Sequence, residues 1–240
     1  MDVSEGMTEH AARARAQVAE GARRLYERRL VVATAGNVSV RVPDSNLLAI
    51  TPSGVPYGGM TASDVALVRL PDGVQVDGAW APSSELPLHR AIYAGRSDVF
   101  AIVHTHSRYA TMLGITGRPL KPVHYAYGLL GDPVRTAPYV RYGTAALAEA
   151  TLAALGTNGA VLLQNHGAVT VGGNLEGAFE RAEMLEWLAE LQIGAEALGP
   201  PLVLSEAEMA EARAALSGYG PEKRPGMTRA WHAGSGSWCR

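Results

Sequence analysis

The sequence predicts a single α/β domain, and three observations carry that expectation. Its 240 residues fit one large domain or two small ones. Apolar side chains make up 47% of them against 18% charged, the balance of a chain that buries a substantial core. Helical and strand-like segments alternate from end to end, with neither a break in composition nor an internal repeat.

The elements follow from local pattern. Residues 9–29 place Val18, Ala22, Leu25 and Tyr26 at helical spacing among Arg and Glu, an amphipathic helix. Between Leu30 and Val42 the pair Gly36-Asn37 divides two β-branched runs, as in a hairpin or tight loop. Asn46–Thr51 reads as a strand ending at the turn Pro52-Ser53-Gly54. Thr61–Asp64 opens a helical turn, and Val65–Leu70 is a further strand. Glu85–Gly95 reads as a helix, Val99–His104 as a buried strand and Arg108–Leu113 as helix again.

Residues 118–143 carry Pro119, Pro122, Pro133 and Pro138 with no clear period, so loop with short strands is expected. Thr144 caps a helix to Leu155. Ala160–Gln164 and Ala168–Val171 are strands joined by the turn Asn165-His166-Gly167. Asn174 caps a long helix to about Ala197, and Ser205 with Glu208 forms a capping box for a last helix to about Leu216. The Gly-, Ser- and Pro-rich stretch 220–240 is expected to be a flexible tail, leaving residues 1–219 as the domain.

Composition excludes several classes. Lys plus Arg total 21 and Asp plus Glu 23, a net charge of -2, so no bulk field recruits nucleic acid or an anionic membrane. No run of 18 apolar residues is present to cross a bilayer, and Met1–Glu9 is acidic with no apolar leader core; a cytoplasmic setting is expected. The one cysteine, Cys239, excludes a Cys-based zinc site, so any metal must be held by His and carboxylate. The lysines are Lys121 and Lys223 alone.

Seven histidines are present: His10, His89, His104, His106, His124, His166 and His232. His104-Thr105-His106 ends a predicted strand, where residues i and i+2 share a face and both imidazoles can reach one ion. His166 ends another, and three imidazoles with an open fourth position make a catalytic zinc arrangement. The pair alone reads equally as a polar strand end. Glu85 follows Ser83-Ser84 at a helix start, a place suited to anions, though an ordinary N-cap is the simpler local reading. Gly36-Asn37-Val38-Ser39 and Thr51-Pro52-Ser53-Gly54 offer small and polar groups beside glycine. Neither is a P-loop or a dinucleotide fingerprint.

Taken together and in order, Gly36-Asn37-Val38-Ser39-Val40-Arg41, Thr51-Pro52-Ser53-Gly54, Ser83-Ser84-Glu85, His104-Thr105-His106 and Asn165-His166-Gly167 resemble the class II aldolase/adducin family, most closely its L-fuculose-1-phosphate aldolase branch. The resemblance runs from about Ala11 to Tyr219. It implies a three-layer α/β/α sandwich around a mostly antiparallel sheet. It implies a divalent metal, usually zinc with Mn2+ or Co2+ as alternatives, on His104, His106, His166 and Glu85. Glu85 would leave the metal to act as acid/base. The substrate phosphate would sit among Asn37, Ser53, Gly54, Ser83 and Ser84.

Val123-His124-Tyr125 also matches, and implies that Tyr125 serves the aldehyde-side oxygen from a neighbouring subunit of a homotetramer. Tyr219 matches a second tyrosine that closes over the site. The implied reaction is cleavage of a phosphorylated ketose, such as L-fuculose 1-phosphate, to dihydroxyacetone phosphate and an aldehyde, with no Schiff-base lysine. Within the family, decarboxylation of 3-oxo-tetronate 4-phosphate-type substrates is the nearest alternative, ahead of dehydration and epimerisation. Epimerases typically carry Asp where Glu85 stands. An adducin-like interaction protein lacking metal ligands is disfavoured by the complete ligand set, and no H-E-x-x-H helix suggests a zinc hydrolase.

Overall fold

The structure, a computed structural model, describes residues 3–131 and 133–217. Helix α1 (Val3–Glu27) leads into strands β1 (Asn37–Arg41), β2 (Leu47–Ile50), β3 (Ala66–Arg69) and β4 (Gln75–Asp77). Helix α2 (Leu86–Gly95), β5 (Ala101–Thr105), α3 (Arg108–Thr116) and the short β6 (Thr136–Ala137) follow. Then come α4 (Ala145–Leu155), β7 (Ala160–Leu163), β8 (Gly167–Gly172), α5 (Leu175–Leu198) and α6 (Glu206–Ser217).

The eight strands form one sheet in the order β4-β3-β2-β1-β5-β8-β7-β6, antiparallel throughout except for the β6–β7 pair. Period-2 alternation divides the core between its faces. Val38, Val40, Ala49, Leu67 and Val103 pack under α1 and the start of α5, against Val18, Ala22, Leu25 and Phe179. Leu48, Ile50, Val68, Ile102, Val161 and Val169 face the opposite way, against Leu88 and Ile92 of α2 and Leu147 and Leu155 of α4. Farther along, Ala160, Leu162 and Ala168 meet Leu113 of α3 and Leu185 and Leu188 of α5. The result is the three-layer α/β/α sandwich, with its mostly antiparallel sheet, that the resemblance implied. Among the described residues no helix is long and apolar enough to cross a membrane.

Most predicted elements form, with their caps. Thr144 Oγ1 accepts from Leu147 N, Asn174 Oδ1 from Gly177 N, and Ser205 and Glu208 exchange the capping-box bonds. The differences are local. Leu30–Ala35 is a turn rather than a strand: β1 begins at Asn37, and the preceding residues cross over so that Leu30 O accepts from His106 N at 3.0 Å. Tyr26, expected on the apolar stripe, is exposed, while Val18, Ala22 and Leu25 are fully buried. Strand β4 was not foreseen, being three residues long with Val76 and Asp77 exposed. Tyr219 and the stretch 220–240 lie outside the described residues.

Ile102 sits in the central strand, fully buried against α2. Replacing it by Ala is expected to lower unfolding free energy by about 2–5 kcal/mol in urea, whereas exposed Val76→Ala on β4 should change it by less than about 0.5 kcal/mol.

Candidate metal centre

The centre forms where β5 passes between β1 and β8, opposite the start of α2. His104 pairs across the sheet with Asn37 on one side and Val169 on the other, and shares the face of Ile102 that looks toward α2. His106 lies one residue beyond the strand. His166 occupies the tight β7–β8 turn, in which Asn165 takes a left-handed conformation (φ 53°).

Two glycines allow the approach. A Cβ on Gly36 (φ 81°) would meet His104 O at 2.7 Å, and one on Gly167 would lie 2.1 Å from Thr105 O. Only residues without side chains let the β1 and β8 backbones flank β5 at these points.

Three imidazoles therefore meet edge to face, with ring centroids 4.8–4.9 Å apart. Glu85, the N-cap of α2 and 6% exposed, completes the group. Its Oε2 lies 2.9 Å from His104 Nε2 and its Oε1 3.3 Å from His166 Nε2, while His106 Nε2 is 3.0 Å from His104 Nε2. All four ligand atoms lie within 4.8 Å of one another.

The donor chemistry fits a cation. His104 Nδ1 is 2.9 Å from the Ala168 carbonyl and must donate to it, so a neutral ring aims its Nε2 lone pair at the group. There it faces the carboxylate Oε2, acceptor against acceptor, which demands a positive charge between them. Glu85 Oε1 is buried and accepts no hydrogen bond. Without metal, a proton on His104 serves instead. Burial opposes that charge, but the adjacent carboxylate outweighs it and raises the His104 pKa.

Burial likewise disfavours a charged Glu85, yet His104, His166 and the Asn37 amide hold its pKa below the ordinary value. Burial and neighbouring His104 push His106 down to about 3 and His166 to about 4, leaving both neutral and ready to ligate.

Of the expected anion-binding residues, Ser53, Gly54, Ser83 and Ser84 come together in two joined segments. Ser53 N donates to Ala81 O at 2.9 Å and Ser83 N to Thr51 O at 3.0 Å. Ser53, Gly54 and Ser84 are exposed and Ser83 is buried beside Glu85. A Cβ on Gly54 would meet no atom within 4 Å, so the space above it is open.

The helix start itself differs from expectation. Glu85 N donates to Ser83 Oγ, Leu86 N to Ser83 O and Leu88 N to Glu85 O, and Pro87 has no N–H. These amides are already used, so an anion here would be met by side chains and glycine backbone rather than by the end of α2.

Asn37 is buried, with Nδ2 donating to Glu85 Oε2 at 2.9 Å. Tyr125 is not brought to the four ligands. It is 55% exposed on a 3-10 turn (Tyr125–Leu129), stacked on His124 at 4.3 Å. The sequence-adjacent Lys121 is ion-paired with Glu196 at 2.8 Å.

Sequence reasoning missed a buried polar row behind Asn37, formed by Ser39, His89 and Tyr93. It also missed Glu186, whose carboxylate accepts from Tyr109 N and Ala110 N and so seats α3 just after His106. A lone His four residues after Glu85 was the only signal, and it reads equally as helix core.

A mostly antiparallel α/β/α sandwich with three histidines and a glutamate clustered at the centre of its sheet defines a class of metal-binding domain, and comparison with known proteins gives it a family. The family described as "Class II Aldolase and Adducin N-terminal domain" matches residues 16–193, and the chain belongs to it. It is 38% identical over 193 residues to the 5-deoxy-D-ribulose 1-phosphate aldolase of Bacillus thuringiensis serovar kurstaki, covering 80% of this chain and 90% of that protein. It is 39% identical over 189 residues to the L-fuculose phosphate aldolase of Escherichia coli O6:H1, covering 78% and 86%. A solved structure of an L-fuculose 1-phosphate aldolase superposes with a TM-score of 0.82 at 35% identity, covering 85% of this chain and 96% of that one.

The charges set a pH dependence for the metal-free protein. His89, His106 and His166 have lowered pKa values when folded, so below their unfolded value of about 6.5 the unfolded chain binds more protons and stability falls with pH. His104 acts the other way, but its contribution is already complete below 6.5. The urea midpoint after chelation is therefore expected to drop steadily between pH 6.5 and 4. Gly167→Ala should lose about 1–3 kcal/mol in the same measurement, because the clash is with backbone.

Proposed function

We propose that this chain is a metal-dependent aldehyde-lyase that cleaves a phosphorylated ketose to dihydroxyacetone phosphate and an aldehyde. The observation that carries the reading is the convergence of His104, His106, His166 and Glu85 within 4.8 Å, beside the joined Ser53-Gly54 and Ser83-Ser84 segments. The names of its relatives point to L-fuculose 1-phosphate and 5-deoxyribulose 1-phosphate as the substrates to try first.

His104, His106, His166 and Glu85 would hold a divalent ion, with zinc the first choice for a site of this donor set. A cation there supplies a Lewis acid for the negative charge of the enediolate left by cleavage. The remaining chemistry belongs to side chains. Glu85 would serve as the acid/base that moves the proton at C1 of dihydroxyacetone phosphate. Tyr125 of an adjoining copy takes the proton of the C4 hydroxyl as the C3–C4 bond breaks. Asn37, Ser53, Gly54, Ser83 and Ser84 hold the phosphate, away from the scissile bond, and so fix the reacting geometry.

The exposure of Tyr125 supports an intersubunit role, and the homotetramer that the resemblance implies is the assembly proposed. Lys121 is ion-paired with Glu196, and the reading proposed here needs no Schiff-base lysine.

The test follows dihydroxyacetone phosphate released from each ketose 1-phosphate by zinc-loaded protein. Release is expected, with Glu85→Gln slower by about 10²–10⁴-fold and chelated protein inactive. Intact substrates with metal still bound would transfer the reading to decarboxylation of phosphorylated oxo-acids.

A further inference from the structure

Behind the metal cluster runs a row of side chains in which Ser39, His89 and Tyr93, unlike Asn37, have no part in the reaction above. Tyr93 OH is 2.9 Å from Ser39 Oγ, Ser39 Oγ is 2.6 Å from His89 Nδ1, and His89 Nε2 bonds Asn37 Oδ1. Asn37 Nδ2 in turn reaches Glu85 Oε2 at 2.9 Å. Asn37, Ser39, His89 and Tyr93 are all buried, at the interface between β1 and α2.

The direction of every bond follows from one end. A carboxylate only accepts, so Asn37 must turn its NH2 to Glu85 and its carbonyl to His89. His89 Nε2 must then carry the proton, and Nδ1 must accept from the Ser39 hydroxyl. Ser39 Oγ is left as an acceptor for Tyr93 OH, whose proton is also within reach of the Ser39 carbonyl at 3.1 Å. The row is thus one file of donors pointing at Glu85, and each member excludes the opposite setting of the next.

We propose that His89 is a positioning residue that locks the Asn37 amide with its NH2 toward Glu85. Without it, nothing in the row stops Asn37 from rotating by half a turn and setting its carbonyl against the carboxylate. The cost would fall on the cluster, which needs Glu85 held in place to bind metal and to exchange a proton. Only the kinetic part of the test rests on the aldolase reading; the other parts stand without it.

His89→Leu removes both ring partners, and His89→Gln keeps one donor and one acceptor at similar reach. The leucine variant is expected to bind Co2+, added stepwise to metal-free protein and read by visible absorption, about 10-fold more weakly. Its kcat/KM should fall by about 10-fold or more. The glutamine variant should recover most of both. In an Asn37→Ala background the leucine change should cost less than about twofold, since His89 acts through that amide.

Nitrogen NMR of the unaltered protein needs no variant. It should show His89 protonated at Nε2 alone across about pH 5 to 8. Several results would overturn the proposal. They are a proton on Nδ1, a leucine variant that matches the parent in Co2+ affinity, a glutamine variant as impaired as leucine, or full additivity with Asn37→Ala. If no ketose phosphate is cleaved while Co2+ affinity and tautomer behave as described, the aldolase reading fails and the positioning role stands.

Discussion

A carboxylate taken out of water costs several kcal/mol unless charge and hydrogen bonds replace what the solvent supplied. Glu85, 6% exposed, is placed where those replacements come from three separate parts of the chain. The imidazole of His104 arrives from one strand and that of His166 from the turn between two others, the Asn37 amide from a further strand, and the carboxylate from the start of a helix in another layer. Sheet order, strand register and helix placement must all be right before that single group is satisfied. The compensation is completed by positive charge, whether a proton or a cation.

Strand β5 is the element that makes the meeting possible. It lies at the middle of the sheet, fully buried, with neighbours admitted closely on either side by Gly36 and Gly167. Its two histidines are stabilised differently. His104 is fixed from behind by the Ala168 carbonyl, while the backbone of His106 is tied to Leu30 and followed at once by a helix whose first amides are held by Glu186. Both histidines thus have their freedom reduced by contacts outside the cluster.

Part of this was legible in the sequence. His104-Thr105-His106, the Asn165-His166-Gly167 turn and Ser83-Ser84-Glu85 each have an ordinary local reading, and only their joint order along the chain pointed to one site, whereas the caps at Thr144, Asn174 and Ser205 mark helix starts within a residue for purely local reasons. What stayed hidden depends on partners far apart in the chain. His89 meets Ser39 and Asn37 across separations of 50 and 52 residues, and on α2 it looks like one more core position. The run at Leu30–Ala35 has strand composition but serves as a crossover, because the slot beside β1 is taken by β5. The used-up amides at the start of α2 were equally invisible, since Ser83 had to fold back before they were spoken for.

The ends of the sheet carry a consequence of their own. One border is β4, three residues finishing in Asp77, which is ion-paired to Arg15; the other is β6, two residues set between Pro133 and Pro138. Each border is too brief, and too interrupted by charge or proline, to accept another strand from outside. Among the described residues the sheet therefore presents no long free edge, and a crowded solution of copies finds no ready template there for growing a continuous ribbon.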